Sequence, residues 1–367
     1  MELGRMKTRS QNELLKMDAA NFDANDDAES QPMMPSITLV GSDVVKMSEN
    51  KDWLYWRGMA FFVCLLWSSQ FPIIKHIFVL QPQLHASVYS AVRFTLASII
   101  LLPTYYSKLN DWNMIKGTLF VALSAVCAYV GQSVGMSMGT TADKSAFICS
   151  LTVVWVPLLQ GALKRNFREQ KWLPVILSIV GVAFLELEGS SEPTVGDMWS
   201  CLQPIGFGNA MVIMENMIKT LGKSSSSSSS SSKNDKGEKG LDDSGKSDIL
   251  AIAGLRAMWI AMLCWIWAIF TGQRMETVTG LLDEPLIIRN LLYLGVFTTA
   301  GGWFLQTLIQ ARVKSQDFAL ILATEPIFAT LMSFFVLENI TVSWQDILGG
   351  ALIVVACVVN EVDFTAS

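Results

Sequence analysis

Hydrophobic and polar residues are not interleaved along this chain but sorted into blocks. Ten mostly apolar segments follow one another at residues 59–80, 85–104, 115–135, 143–163, 172–188, 198–218, 249–270, 287–309, 317–337 and 343–360, parted by short polar or charged breaks. A helix rises about 1.5 Å per residue, so crossing the roughly 30 Å hydrocarbon core of a bilayer takes about 20 apolar residues. Each block has about that length. The pattern predicts an all-α integral membrane protein with ten transmembrane helices.

The polar stretches set the organisation. Between the sixth and seventh blocks lie Lys223, nine consecutive serines (Ser224 to Ser232) and a Lys/Asp/Gly mixture reaching Lys246. This is the composition of a flexible, solvated linker, which we place at 219–248. It divides the spans five and five. Residues 1–52 are polar and acidic and read as a disordered tail. The opening Met1-Glu2-Leu3-Gly4-Arg5 leads into no apolar h-region, so no signal peptide is expected. The first half of the protein then covers 57–188, span 198–218 opens the second half, and 249–361 completes it.

Composition narrows the function classes. The chain is 51% hydrophobic and only 16% charged, against about 25% charged in soluble domains. The tail and linker hold 27 of the 59 charged residues, so the spans are poorer still. That excludes an ordinary soluble enzyme. A net charge of −5 without a basic stripe argues against a nucleic-acid partner. Six cysteines form no CxxC pair, and the histidines are two, His76 and His85. Neither a disulfide framework, a metal centre nor a cofactor is expected. With the N-terminus in the cytosol, seventeen Lys and Arg near the spans fall inside and four outside (Lys75, Lys144, Arg274, Arg289). This satisfies the positive-inside rule and places both termini in the cytosol.

The two halves resemble each other. At an offset of 174, Gln132 matches Gln306, Asp143 matches Asp317, Ile148 matches Leu322 and Ser150 matches Thr324; after a two-residue slip Trp172 matches Trp344. Near the start of each half, Val92-Arg93-Phe94 matches Leu255-Arg256-Ala257. An arginine inside a span costs about 2.5–3.5 kcal/mol on insertion scales, so its recurrence argues for a true repeat. A unit with an odd number of spans must insert the second time upside down. Inverted repeats suit a carrier whose central site opens to each side in turn.

Two stretches carry a resemblance to a known family. The first runs Gly139-Thr140-Thr141-Ala142, then Phe147 through Leu159 (FICSLTVVWVPLL). The second runs Val296-Phe297-Thr298-Thr299-Ala300, Leu305-Gln306-Thr307, Ala319-Leu320-Ile321 and Thr324-Glu325-Pro326-Ile327-Phe328-Ala329, and ends with Leu337-Glu338 and Gly349-Gly350-Ala351-Leu352-Ile353. These are similar to the two signatures of EamA-type transporters, in the drug/metabolite transporter superfamily. The likeness covers about 57–361 and is weak over the sixth span. It implies ten helices in two inverted five-helix repeats and the export or exchange of small metabolites. The serine linker, Lys144 in the fourth span and the acidic tail depart from the family pattern.

Candidate site residues follow from polarity within spans. Arg93 and Arg256 are permanently charged and suited to a carboxylate or phosphate. Gln132 and Gln306 form a symmetric pair able to donate and accept, and Gln310 shares the face of Gln306. Trp67 and Trp155 could wall a pocket. Glu325 precedes Pro326, whose missing N–H loosens the helix, so a proton or a substrate cation could meet the carboxylate there. Pro157 sits near the equivalent place in the first half and predicts a matching kink. Glu215 is a further acidic candidate.

We expect a secondary carrier for a small organic metabolite such as an amino acid, seated in a lipid bilayer, with a proton or a second metabolite as counter-substrate. Phosphorylated sugars or nucleotide-sugars are the alternative substrates. There is no GxxxxGK[ST], so no ATP hydrolysis is expected. Gly131-Gln132-Ser133-Val134-Gly135 matches the G-x-S-x-G of hydrolases. It lies in a continuous apolar helix rather than a strand–turn–helix, and Gly131, Gly135 and Gly139 read better as close helix packing. An enzyme is therefore not expected. A non-transporting scaffold acting through tail and linker is the remaining class. Asn339-Ile340-Thr341 is a formal glycosylation sequon in a short outer loop, too near the bilayer to be modified.

Overall fold

A computed structural model describes residues 54–168, 170–186, 194–228, 243–273, 284–337 and 344–361. The acidic tail, the centre of the serine linker and the Asn339 sequon lie outside the described residues. Every regular element among the described residues is helical. We number them α1 Leu54–Leu80, α2 Ala86–Ile100 with its continuation Leu102–Lys108, α3 Trp112–Ser137 and α4 Ala142–Lys164. They continue with α5 Trp172–Glu186, α6 Val195–Ser200 followed by Leu202–Ser228, and α7 Asp243–Phe270. Last come α8 Pro285–Gln310, α9 Ser315–Leu322 followed by Glu325–Leu337, and α10 Trp344–Glu361.

The ten apolar blocks thus become ten helical spans. Five of them (α1, α3, α4, the Ser247–Phe270 part of α7, and α8) are long and apolar enough to cross a bilayer. The α2 pair qualifies with a 62° bend. Both ends of the stretch read as linker are helical, since α6 runs on to Ser228 and α7 begins at Asp243. No proline stops either helix, and a helix carried out of lipid needs no apolar face to continue. Large apolar side chains such as Phe62, Ile99, Phe120, Ile176, Phe270 and Val358 are exposed, as expected of surfaces that meet acyl chains.

The packing shows the inversion directly. Ala142–Ser150 of α4 lies against Glu325–Leu337 of α9, while Thr152–Lys164 of α4 lies against Ser315–Leu322 of α9. The start of one helix meets the end of the other, so repeat-equivalent helices run antiparallel. Self-paired contacts also join α2 to α7 and α5 to α10, and α3 against α7 is matched by α2 against α8. The chain is two inverted five-helix repeats. Ion pairs respect the same alternation. Lys108 at the end of α2 pairs with Asp248 near the start of α7, and Arg57 pairs with Asp317 at the starts of α1 and α9. On the opposite face Lys144 pairs with Asp197, at the starts of α4 and α6.

Small residues bring α3 and α6 together. A Cβ on Gly131 would stand 2.5 Å from the Trp199 carbonyl oxygen, and one on Gly135 would strike Ser200. Gly139 serves otherwise: at φ 114° it turns the chain out of α3. Overpacking a close contact costs about 1–3 kcal/mol. We predict that Gly131→Ala lowers the thermal-unfolding midpoint of detergent-solubilised protein. Gly58→Ala, with nothing within 4 Å of the new methyl, should leave the midpoint unchanged.

Candidate functional site

A cavity of about 40 Å³ opens between the repeats. Its walls come from both halves: Trp67 and Gln70 of α1, Tyr129 of α3, Cys149 and Thr152 of α4, Phe207 and Met211 of α6, Arg256 of α7, Trp303 and Gln306 of α8, and Leu322 and Glu325 of α9. Apolar walls with a few polar groups among them are typical of small-molecule sites.

The two repeat-equivalent arginines flank an aromatic stack. Phe94 and Trp303 lie nearly parallel, 12° between planes and 5.5 Å between centroids. Tyr129 stands 4.8 Å from Phe94 and takes the Trp303 Nε1–H at 2.9 Å. The Arg256 guanidinium sits 4.6 Å from the Trp303 ring; that of Arg93 sits 5.4 and 5.8 Å from the rings of Phe94 and Tyr129. Cation–π contacts of this kind contribute about 2 kcal/mol when desolvated.

The arginines differ in satisfaction. Arg93 donates to Thr299 Oγ1 (2.8 Å), Tyr89 Oη (3.0 Å), Gln70 Oε1 (2.7 Å) and Thr298 Oγ1 (3.3 Å), and it does not line the cavity. Arg256 does. Both its Nη atoms donate to the one oxygen Gln306 Oε1 at 3.1 Å, and its buried Nε–H has no partner among the described residues. Thr298 and Thr299 reach Arg93 from the wide-turned stretch Leu294–Gly301 of α8. The Thr298 carbonyl also takes the Trp67 indole N–H at 2.9 Å. Gly302 gives that indole room, since a Cβ there would strike Trp67 Nε1.

Breaks in α4 and α9 bring polar groups to the cavity. The α9 break at Ala323–Thr324 puts Glu325 and Pro326 at the start of the next helix, where a missing N–H is tolerated. The α4 break falls at Leu151. Pro157 is not at that break but inside Thr152–Lys164. Side-chain hydroxyls reach back to carbonyls at the breaks: Thr152 donates to Cys149 O (2.6 Å), Ser150 to Phe147 O and Thr324 to Ile321 O (both 2.7 Å). The Glu325 carboxyl is buried and forms no ion pair among the described residues.

The other predicted residues lie away from this cavity. Gln132 donates to Gln203 Oε1 (3.3 Å), and Gln203 Nε2 donates on to Ser145 Oγ (3.0 Å), between α3, α6 and α4. Trp155 donates to Asn209 Oδ1 (2.9 Å) and fills the space over Gly208. Gln310 donates to Met211 O and Ser315 Oγ. Glu215 accepts from Gln160 (3.2 Å), from Lys219 and from the Ser315 N–H (2.9 Å), tying α4 and α6 to the start of α9. Ser133 is paired with Ser90 at 3.1 Å rather than with a histidine base. Sequence reasoning brought four cavity residues together (Trp67, Arg256, Gln306, Glu325) and missed Gln70, Tyr129, Phe207 and Trp303. Tyr129 and Trp303 are themselves 174 apart, so the offset that paired the glutamines also marks them.

One face of the bundle is fastened beside this site. Asp197 accepts from Lys144 Nζ (2.8 Å), Thr140 Oγ1 (2.9 Å) and the Thr194 N–H (2.8 Å). Burial pulls its carboxyl upward, but these donors outweigh it and hold the group at about 2. Its contribution is therefore complete above the ordinary carboxylate value and is lost only as pH falls toward about 2. We predict that Asp197→Asn lowers the unfolding midpoint by a similar margin at pH 5 and at pH 7, consistent with about 1 kcal/mol for a partly exposed pair. A margin that shrank between these two values would contradict the assignment.

Comparison with known proteins agrees with the fold. The EamA-like transporter family matches residues 54–187 and 244–361. An uncharacterized transporter of Archaeoglobus fulgidus is 26% identical over 298 residues, 81% of this chain and 82% of that protein. A crystal structure with 12% sequence identity aligns over 84% of this chain and 97% of its own, with a TM-score of 0.57, a likeness of fold. The chain belongs to the EamA-like transporter family, within the drug/metabolite transporter superfamily, and is a multi-pass membrane transporter.

Proposed function

We propose that this chain is a secondary active carrier that moves a small zwitterionic metabolite, an amino acid, across its membrane by alternating access. One observation carries the reading. A single cavity offers an under-coordinated guanidinium, Arg256, and a carboxyl without a cation, Glu325, within aromatic walls. A buried charge without a partner is costly. A zwitterion supplies both counter-charges at once: its carboxylate meets Arg256 and its ammonium meets Glu325. When the substrate leaves, a proton is the remaining cation for Glu325, which couples transport to proton movement in the opposite direction. The positive-inside count supports cytosolic termini, which would make the Asp197–Lys144 pair an outer fastening and the Glu215–Ser315 and Arg57–Asp317 contacts inner ones.

A phosphorylated sugar or nucleotide-sugar fits less well. Its two or more negative charges ask for a second free cation, and Arg93 is already served by four neutral acceptors. The reading also accounts for Ser133 without catalysis, since its hydroxyl is held by Ser90 in an unbroken helix.

The test is counterflow in proteoliposomes against a panel of amino acids and sugar phosphates. Arg256→Met should cut counterflow of the accepted amino acid at least tenfold, about 1.4 kcal/mol of recognition. Glu325→Gln should weaken counterflow, because the ammonium loses its counter-charge, and should abolish uptake driven by a pH gradient. Counterflow of sugar phosphates alone would overturn the amino-acid assignment.

A further inference from the structure

Two of the cavity's polar side chains are glutamines, and an amide is ambiguous: it offers an acceptor at one end and donors at the other. Here the ambiguity is removed from behind. A guanidinium has five N–H donors and no acceptor, so an amide that meets it must present its oxygen. Arg93 holds Gln70 Oε1 at 2.7 Å, and Arg256 holds Gln306 Oε1 with both Nη atoms at 3.1 Å. Neither Gln70 nor Gln306 donates to any group among the described residues, and both line the cavity. With each oxygen committed, the amide that remains available is the NH2 group. The two repeats do the same thing with different helices, since Arg93 of α2 orients Gln70 of α1 while Arg256 of α7 orients Gln306 of α8.

We propose that the paired arginines set the polarity of the cavity, turning Gln70 and Gln306 into obligate donors that, with the unpartnered Nε–H of Arg256, read a carboxylate. Arg93 is then a positioning residue acting through Gln70, and Gln70 is a specificity-determining residue. This rests on the carrier reading above and deepens it: the recognised group must be an acceptor on every side. Gln310 and Gln132 show the contrast. Each donates through its amide nitrogen and keeps a buried oxygen without a partner among the described residues, so neither oxygen is held by an arginine there.

The experiment compares leucine, leucinamide and glucose 6-phosphate by titration of the purified protein, read by tryptophan fluorescence, and by transport in proteoliposomes. Leucinamide keeps the ammonium but replaces a carboxylate oxygen with an NH2 that faces donors. The wild type should favour leucine over leucinamide at least tenfold. Gln70→Glu is nearly isosteric and stays bound to Arg93, yet shows the cavity an oxygen; it should raise the leucine KM tenfold or more and reverse the acid-to-amide preference. Arg93→Met should flatten that preference, and Arg93→Lys, still a pure donor, should preserve it. A merely structural role for Arg93 would lower the amount of folded protein without moving the ratio. Gln70→Glu and Arg93→Met retaining the wild-type ratio would overturn the proposal and leave amino-acid transport standing. Binding of glucose 6-phosphate alone, weakened by Gln70→Glu, would support donor polarity and overturn the amino-acid assignment. A wild type that binds neither solute overturns both.

Discussion

Everything at the centre of this molecule depends on keeping two guanidinium groups inside an apolar bundle that, among the described residues, pairs neither with a carboxylate. Desolvating such an ion is costly, and a buried partner of opposite charge is only one remedy. This chain uses another: amide and hydroxyl oxygens around the edge of each guanidinium, and aromatic faces against its plane. That choice fixes the neighbours. The threonines must come from a stretch of α8 wide enough to turn two consecutive side chains toward Arg93. The rings must be shared, so Phe94, Tyr129 and Trp303 stack between the charges. The cavity is what remains beside that stack.

The scaffold translates this local requirement into architecture. Repeat-equivalent helices α4 and α9 cross the bundle antiparallel, and both are interrupted near the cavity. At each interruption side-chain hydroxyls donate to nearby carbonyls, one way in which irregular backbone persists at membrane depth. The same breaks deliver Cys149 and Thr152 from one side and Leu322 and Glu325 from the other. Ion pairs at the helix starts hold the ends of the bundle, with Lys144–Asp197 on one face and Arg57–Asp317 on the other. The pairs occupy related helices with the charges exchanged: the cation is on α4 in the first and on α1 in the second.

The ten spans, the duplication and the position of both arginines were legible because each is a statement about polarity against an apolar background. Arg256 and Gln306 stood out for that reason and meet in the cavity. Gln132 stood out equally and lies elsewhere, because its face of α3 turns toward Gln203 of α6, a contact that polarity along one helix cannot reveal. Pro157 drew attention as a helix breaker, yet the break is at Leu151, beside Ser150. Ser150 and Thr324 are repeat partners, and hydroxyls able to reach back to carbonyls were the better signal. The aromatic walls were hidden in a chain where Phe and Trp are common in every span; only the repeat offset separates Tyr129 and Trp303 from the rest. Gln70 was unreadable, since its meaning comes from Arg93 on a different helix.

The unequal coordination of the two arginines has an energetic corollary. Duplicated halves with identical interiors could exchange conformations at no net cost, and the device would run equally well in either direction. Here one half keeps its guanidinium saturated as internal framework while the other leaves an N–H unspent. Swapping the roles of the halves therefore yields a state of different free energy. If the two halves exchange roles, as the proposed carrier cycle requires, the duplication itself favours one resting posture over the other.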